Sequence, residues 1–207
     1  MMIFKVNMMK NYVQSCQTEF WQKVFQAELN YLLDALEGAR DILSIGCGPA
    51  IIEKKLSEHG FGVTGLDISY EVLKYAPDSL RSVVARAEAM PFLDASFDAV
   101  IFIASLQFIE NNKKAIDETA RVLRSKGKLV AMLLNPESLF FKEKQQNPDS
   151  YVQKIKHRYL HQMEVVIAKH FALKVEYFLG IKEGNLFESQ DPKEAALYVI
   201  NGQKLSS

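Results

Sequence analysis

The chain is poor in the residues that anchor unusual chemistry. Cysteine occurs only twice in 207 residues, at Cys16 and Cys47. Two thiols so far apart match no zinc spacing and build no disulfide framework, so a reducing cytoplasm is the expected setting. Charge of one sign is also missing, because 25 Lys and Arg balance 25 Asp and Glu. Without a basic field the chain lacks the phosphate-neutralising surface of a dedicated nucleic-acid binder, so no nucleic-acid partner is expected. The longest apolar run, "AVIFIASLQFI" from Ala99, is shorter than the ~20 residues of a membrane span. The opening "MMIFKVNMMKNYVQ" has no sustained apolar stretch and no small-residue cleavage site, so neither a leader peptide nor a membrane span is expected. His59, His161 and His170 show no ligand spacing, and no metal is expected. Internal repeats and low-complexity linkers are absent.

What remains is an ordinary globular composition, 48% hydrophobic and 24% charged. The length suits one domain over residues 1–207, large enough to hide roughly 70% of its unfolded surface. Apolar positions Phe20, Val24, Leu29, Leu32, Leu33 and Leu36 recur at helical spacing, and Gly38 follows as a helix stop. Strands and helices then alternate. "DILSI" reads as a strand and residues 50–59 as a helix. "GVTGLDI" is a strand, and Ser69 can cap the helix "YEVLKYA". "RSVVAR" and "FDAVIFIAS" are further strands. "NKKAIDETARVLR" carries an apolar stripe of Ala115, Ile116, Ala120, Val122 and Leu123, and "GKLVAMLLN" is the fifth strand. Such alternation predicts a parallel sheet with helices on both faces. After Pro136 comes a polar, charged and aromatic insert over residues 136–160. A helix "HQMEVVIAKHF" follows, and then two strands, "ALKVEYFLG" and "EAALYVING", suited to antiparallel pairing at the sheet edge. The segment between them, "IKEGNLFESQDPK", reads as a long polar link. The fold class expected is α/β, a Rossmann-like, seven-stranded, mostly parallel sheet with a reversed C-terminal hairpin.

Ligands of open parallel sheets sit beyond the carboxyl ends of the strands. Here "DILSIGCGPAII" runs from a strand through Gly46 and Gly48 into a helix. A dinucleotide fingerprint needs a third glycine where this chain has Ile51. Pro49 also removes an N–H from the helix start, where a pyrophosphate would want donors. The turn therefore suits a ligand without phosphates better than a nicotinamide dinucleotide. Asp67, 21 residues after Gly46 at the end of the second strand, is placed to hydrogen-bond both ribose hydroxyls of an adenosine-containing ligand. Its other reading is a cap for the following helix.

These stretches together resemble the class I S-adenosylmethionine-dependent methyltransferases, in particular the type-11 group related to the ubiquinone and menaquinone biosynthesis enzymes. "ILSIGCGPA" is similar to the family's first motif and "GLDIS" to its ribose-acid motif. "ARAEAMPFLDASFDAVI" is similar to the segment that lines the adenine, and "RVLRSKGKLV" to the helix-turn-strand that follows. The resemblance runs from about Ile42 to Leu134. It implies S-adenosylmethionine as cofactor, S-adenosylhomocysteine as its product and a small-molecule methyl acceptor. It implies that Gly46, Cys47 and Gly48 bring backbone against the methionine moiety, and that Asp67 holds the ribose while Ile68 packs on the adenine. Ala87 and Glu88 would meet the adenine edge, with Ile103 and Ala104 near the sulfonium. Residues 1–38 would form a helical cap and the insert would cover the acceptor site. Tyr12, Gln107, Tyr151 and His157 are the candidate substrate contacts. Gln107 has an equal claim to a structural role at a helix start, and Trp21 reads either as a stacking ring or as core.

Three positions depart from the family pattern. Ser44 stands where relatives carry an acid that helps hold the ligand's ammonium, Ala50 replaces the third glycine of the motif, and Arg86 stands where many have an acid for the adenine amino group. Ser44→Asp is the substitution this suggests for restoring the charge. The sulfonium donor is already activated, so proximity and orientation suffice and no base is assigned. The alternative function is a non-catalytic protein of the same fold that binds the cofactor or its product.

Overall fold

The computed structural model of the chain describes residues 13–206. After a helical stretch at residues 13–15 come α1 (Glu19–Ala35), β1 (Asp41–Ile45), α2 (Ile51–Glu58), β2 (Gly62–Asp67), α3 (Tyr70–Leu73), β3 (Arg81–Val84) and β4 (Phe97–Ile103). A short 3-10 turn at Leu106–Phe108 leads to α4 (Asn112–Val122), which passes directly into β5 (Leu123–Leu134). The insert contributes α5 (Leu139–Gln145) and a 3-10 turn at Tyr151–Lys154. Then come α6 (Leu160–Ile167), β6 (Phe171–Lys182), β7 (Asn185–Phe187) and β8 (Ala195–Lys204).

Among the described residues all the strands join one sheet, in the order β3-β2-β1-β4-β5-β8-β6-β7. The first five run parallel, β8 pairs antiparallel with both β5 and β6, and β7 is antiparallel to β6. The topology is thus the Rossmann-like α/β arrangement expected, with eight strands in place of seven. The extra strand comes from the stretch read as a polar link. Glu183 and Gly184 both adopt positive φ, 50° and 78°, the conformation of a two-residue hairpin turn, and fold Asn185–Phe187 back on β6. Gly180 makes room for this return, because a Cβ there would lie 2.4 Å from the Phe187 ring.

Alternation along the central strands divides the core. Ile42, Ala99, Ile101, Val130 and Met132 face α1, α2 and α5, whereas Leu43, Val100, Phe102, Leu129 and Ala131 face α4 and α6. Burial on both faces explains why β1, β4 and β5 read as nearly continuous apolar runs. In α4 the stripe Ala115, Ile116, Ala120 and Val122 is buried, and the Asn111 side chain caps the helix by accepting the Lys114 N–H at 3.0 Å. Among the described residues, no helix is long and apolar enough to cross a membrane.

Candidate active site

The carboxyl ends of β1, β2 and β4 converge on one crevice. The loop after β1 is clasped from both sides. Gly46 N–H donates to Leu66 O at 2.7 Å, and Ser105 Oγ, just past β4, donates to Ile45 O at 2.6 Å. Gly46 has φ +72°, and a Cβ there would lie 2.5 Å from Ser105 Cβ, so only glycine fits this closure. Ala50, in the place of the motif's third glycine, also takes a left-handed conformation, φ 57°, at a cost of roughly 1–2 kcal/mol.

Asp67 ties the loop to β2. Its Oδ2 accepts the Gly48 N–H at 3.0 Å and its Oδ1 accepts the Ser69 N–H at 2.8 Å. A carboxylate offers about four acceptor sites, so capacity for two ribose hydroxyls remains. Ser69 occupies the helix-cap position but its side chain makes no capping hydrogen bond, so the sequence-based assignment of that cap is corrected; Asp67 serves the turn instead.

Two cavities meet at this loop. The first, about 470 Å³, is lined by Gly46, Asp67, Ile68, Ala87, Glu88 and Ala104, with Ser105, Phe108 and Lys156 at its margin. The second, about 330 Å³, is lined by Gly46, Cys47, Ile103 and Ala104, and by Trp21, Phe25, Glu28, Glu53, Phe140 and Tyr151. Gly46, Ala104 and Phe108 belong to both. Every cofactor residue named from sequence therefore lines one cavity or the other except Gly48, whose N–H holds Asp67.

The wall of the first cavity is fastened by the segments that carry the other motifs. Arg121 of α4 donates to Met90 O at 3.1 Å and to Phe92 O at 2.8 Å, and Glu118 accepts the Met90 N–H at 2.8 Å. Those bonds fix the loop that presents Ala87 and Glu88. Arg86 bends onto Glu88 at 3.0 Å. Burial pushes the Glu88 carboxyl up, but its own backbone N–H, the Asn111 N–H and the Arg86 guanidinium outweigh that and hold it below the usual range.

The proposed substrate contacts divide. Tyr151 lines the second cavity. Gln107 is fully buried and lines neither cavity; its Oε1 accepts the Leu134 N–H at 2.7 Å and its Nε2 donates to Leu134 O at 3.1 Å. Its amide holds the 3-10 turn to β5, and Nε2 also donates to His157 O of the insert at 3.4 Å, which favours the structural role over a substrate contact. His157 also lines neither cavity, and its Nε2 pairs with Ile109 O at 2.9 Å. Tyr12 lies outside the described residues.

Two acidic residues were missed from the sequence. Glu53 of α2 is 3% exposed, and Ser44 Oγ donates to its Oε1 at 2.6 Å. An acid is thus set beside Ser44 from the next helix, with the Ser44 hydroxyl as its holder. Glu28 of α1 is 5% exposed and lines the second cavity, as Glu53 does. Burial raises Glu53 to about 7, the Ser44 hydrogen bond opposing it, and burial together with the Glu53 charge raises Glu28 to about 8. Burial, then Glu53 and Asp67, push the Cys47 thiol up, so it is no thiolate nucleophile. Among the described residues, no group of three His, Cys, Asp or Glu is arranged to hold a metal ion.

A parallel α/β sheet with a glycine loop after its first strand and an acid after its second defines a site for an adenosine-containing cofactor. Residues 43–131 match the family model described as a methyltransferase domain. Over that stretch the chain matches the type-11 methyltransferase domain, a family whose cofactor is S-adenosylmethionine. An uncharacterized protein of Methanocaldococcus jannaschii is 32% identical over 64% of this chain and 58% of its own length. A demethylmenaquinone methyltransferase of Renibacterium salmoninarum is 32% identical over 55% of this chain and 47% of its own. An 18S rRNA (guanine-N(7))-methyltransferase of Schizosaccharomyces pombe is 34% identical over 54% and 41%. The chain thus spans about half the length of the curated relatives it matches. A solved S-adenosylmethionine-dependent methyltransferase from Thermotoga maritima shares the fold over 97% of both chains, with a TM-score of 0.81 at 20% identity.

Proposed function

We propose that the chain transfers a methyl group from S-adenosylmethionine to a small-molecule acceptor. The observation that carries this is the pair of cavities joined at Gly46 and Ala104, one lined by the ribose and adenine candidates and the other by apolar walls. The cradle fits the cofactor, because Gly46 leaves the loop without a Cβ and Asp67 retains free acceptor capacity. In this reading Asp67 holds the ribose hydroxyls, and Ile68, Ala87 and Glu88 enclose the adenine. Gly46, Cys47 and Gly48 approach the methionine part, and Glu53, set by Ser44, receives its ammonium. The bound cofactor supplies an activated methyl on a sulfonium.

The chain's own task is orientation and exclusion of water. Ile103, Phe108 and Leu134 form an apolar wall beside Gly46 and Ala104. Phe140 and Tyr151 bring the 136–160 insert to the second cavity, and Trp21, Phe25 and Glu28 bring α1. This contact supports a covering role for both segments. A small acceptor is favoured over nucleic acid because the residues lining the second cavity include no Lys, Arg or His. Two cysteines, Cys16 and Cys47, build no disulfide framework, which supports a reducing, cytoplasmic setting. The non-catalytic alternative rests on the missing acid at Ser44 and on Arg86; Glu53 brings an acid to Ser44, and Arg86 is paired with Glu88.

Incubation with methyl-labelled S-adenosylmethionine and a panel of small amines, alcohols, phenols and acids tests the reading. Label is expected in a small acceptor and not in ribosomal or transfer RNA. Label in RNA would refute the small-molecule assignment, and cofactor binding with no transfer across the panel would favour the non-catalytic reading.

A further inference from the structure

Glu28 is a carboxyl group for which cofactor binding has no evident use. Val24 precedes it by four residues and Leu32 follows by four, so it occupies the apolar face of α1, where a Leu or Ile would be expected. Its Oε2 has no hydrogen-bond partner, and the side chain borders the 330 Å³ cavity. A buried carboxyl oxygen without a partner costs on the order of 1–3 kcal/mol. A hydrogen-bond donor entering the cavity would offset that cost.

The surroundings narrow the donor's chemistry. Glu28 and Glu53 are the only charged side chains lining the cavity among the described residues. An anion would face two carboxyl groups with no cation to receive it. Trp21 and Phe25 stack with centroids 6.1 Å apart and, with Tyr151, line the same cavity. Aromatic faces beside a desolvated carboxylate favour a cation. The volume is at the small end for ligand pockets, so the body carried by that cation is compact.

We propose that this cavity binds a small amine with an apolar body, its nitrogen held by Glu28 as the methyl-accepting atom. The accepting role rests on the methyltransferase reading; the binding preference does not. Glu28, neutral while the cavity is empty, gives up its proton to solvent as the ammonium binds; a proton passing from the ammonium to Glu28 Oε2 then leaves both groups neutral and gives the nitrogen its lone pair. An alcohol would fill the hydrogen bond without forming the ion pair.

Titration calorimetry with 2-phenylethylamine, 2-phenylethanol and phenylacetate, each with and without S-adenosylhomocysteine, separates these cases. The amine is expected to bind about tenfold tighter than the alcohol, with the acid weakest. In Glu28→Gln that preference is expected to fall below about twofold while S-adenosylhomocysteine affinity stays within about twofold of the original. Equal or tighter binding of the alcohol or the acid to the unaltered protein would overturn the proposal, whatever the variant's folding. So would a preference that survives in a folded Glu28→Gln. A tenfold loss of S-adenosylhomocysteine affinity in that variant would also overturn it, by assigning the carboxyl to the cofactor's ammonium. Amine preference without any S-adenosylhomocysteine binding would refute the methyltransferase reading alone.

Discussion

Ser44→Asp is expected to lose stability and gain no cofactor affinity. Ser44 is 1% exposed and its hydroxyl lies 2.6 Å from Glu53 Oε1. Aspartate would replace that donor with a second carboxyl in a buried site, and two carboxyls at this distance cannot both ionise. One must stay protonated or the pair must separate, at a cost of about 3–5 kcal/mol near neutral pH. Ser44→Ala removes only the hydroxyl and should cost about 1–2 kcal/mol. Urea denaturation at pH 7 orders the three proteins. A Ser44→Asp protein as stable as the original and tighter for S-adenosylhomocysteine would mean that Glu53 does not supply the missing charge.

Stability is also expected to decline as pH rises from about 5 to 8. Glu28 and Glu53 are neutral when buried and titrate at about 8 and about 7, against an ordinary value of 4.5. A group raised in the folded state is favourable while protonated in both states. Its contribution is lost as pH climbs from the unfolded value through the folded one. Asp98, Glu88 and Glu118 are held low, the last chiefly by Arg121, and their contribution fades in the opposite direction as pH falls below about 4. Maximum stability should therefore fall near pH 5. Removing the raised carboxyl in Glu28→Gln should gain up to about 4 kcal/mol at pH 8 and little at pH 5, since each displaced pKa unit is worth about 1.4 kcal/mol. Thermal melts of both proteins across this range check the sign. A variant that is less stable at pH 8 would show that the carboxyl is not a buried burden kept for a ligand.

The sheet was legible because both faces of its central strands are buried, which leaves long apolar runs at Ile42 and Ala99. β7 was not, because three residues carry no periodicity and its hairpin depends on the positive φ of Glu183 and Gly184. Asp67 was readable from its place after β2. Its hold on Gly48 was not, since nothing local marks a contact across 19 residues. Nothing in "IIEKKL" marks Glu53 as buried beyond its place three positions before the buried Leu56. Glu28 gave a clearer signal, an acid spaced by four between Val24 and Leu32 on an apolar stripe. Gln107 shows the converse. It stands near the strand ends where ligands bind, but both ends of its amide are bonded to Leu134.

The seating of the cofactor is the central claim, and titration of S-adenosylhomocysteine into the unaltered protein and Asp67→Ala tests it most directly. One site per chain is expected, weakened at least about tenfold in the variant, about 1.4 kcal/mol. Asp67 also anchors Gly48 and Ser69, so about 1–2 kcal/mol of stability should be lost, and a melt confirms that the variant is still folded. Unchanged affinity in a folded Asp67→Ala would contradict the account and place the ribose elsewhere.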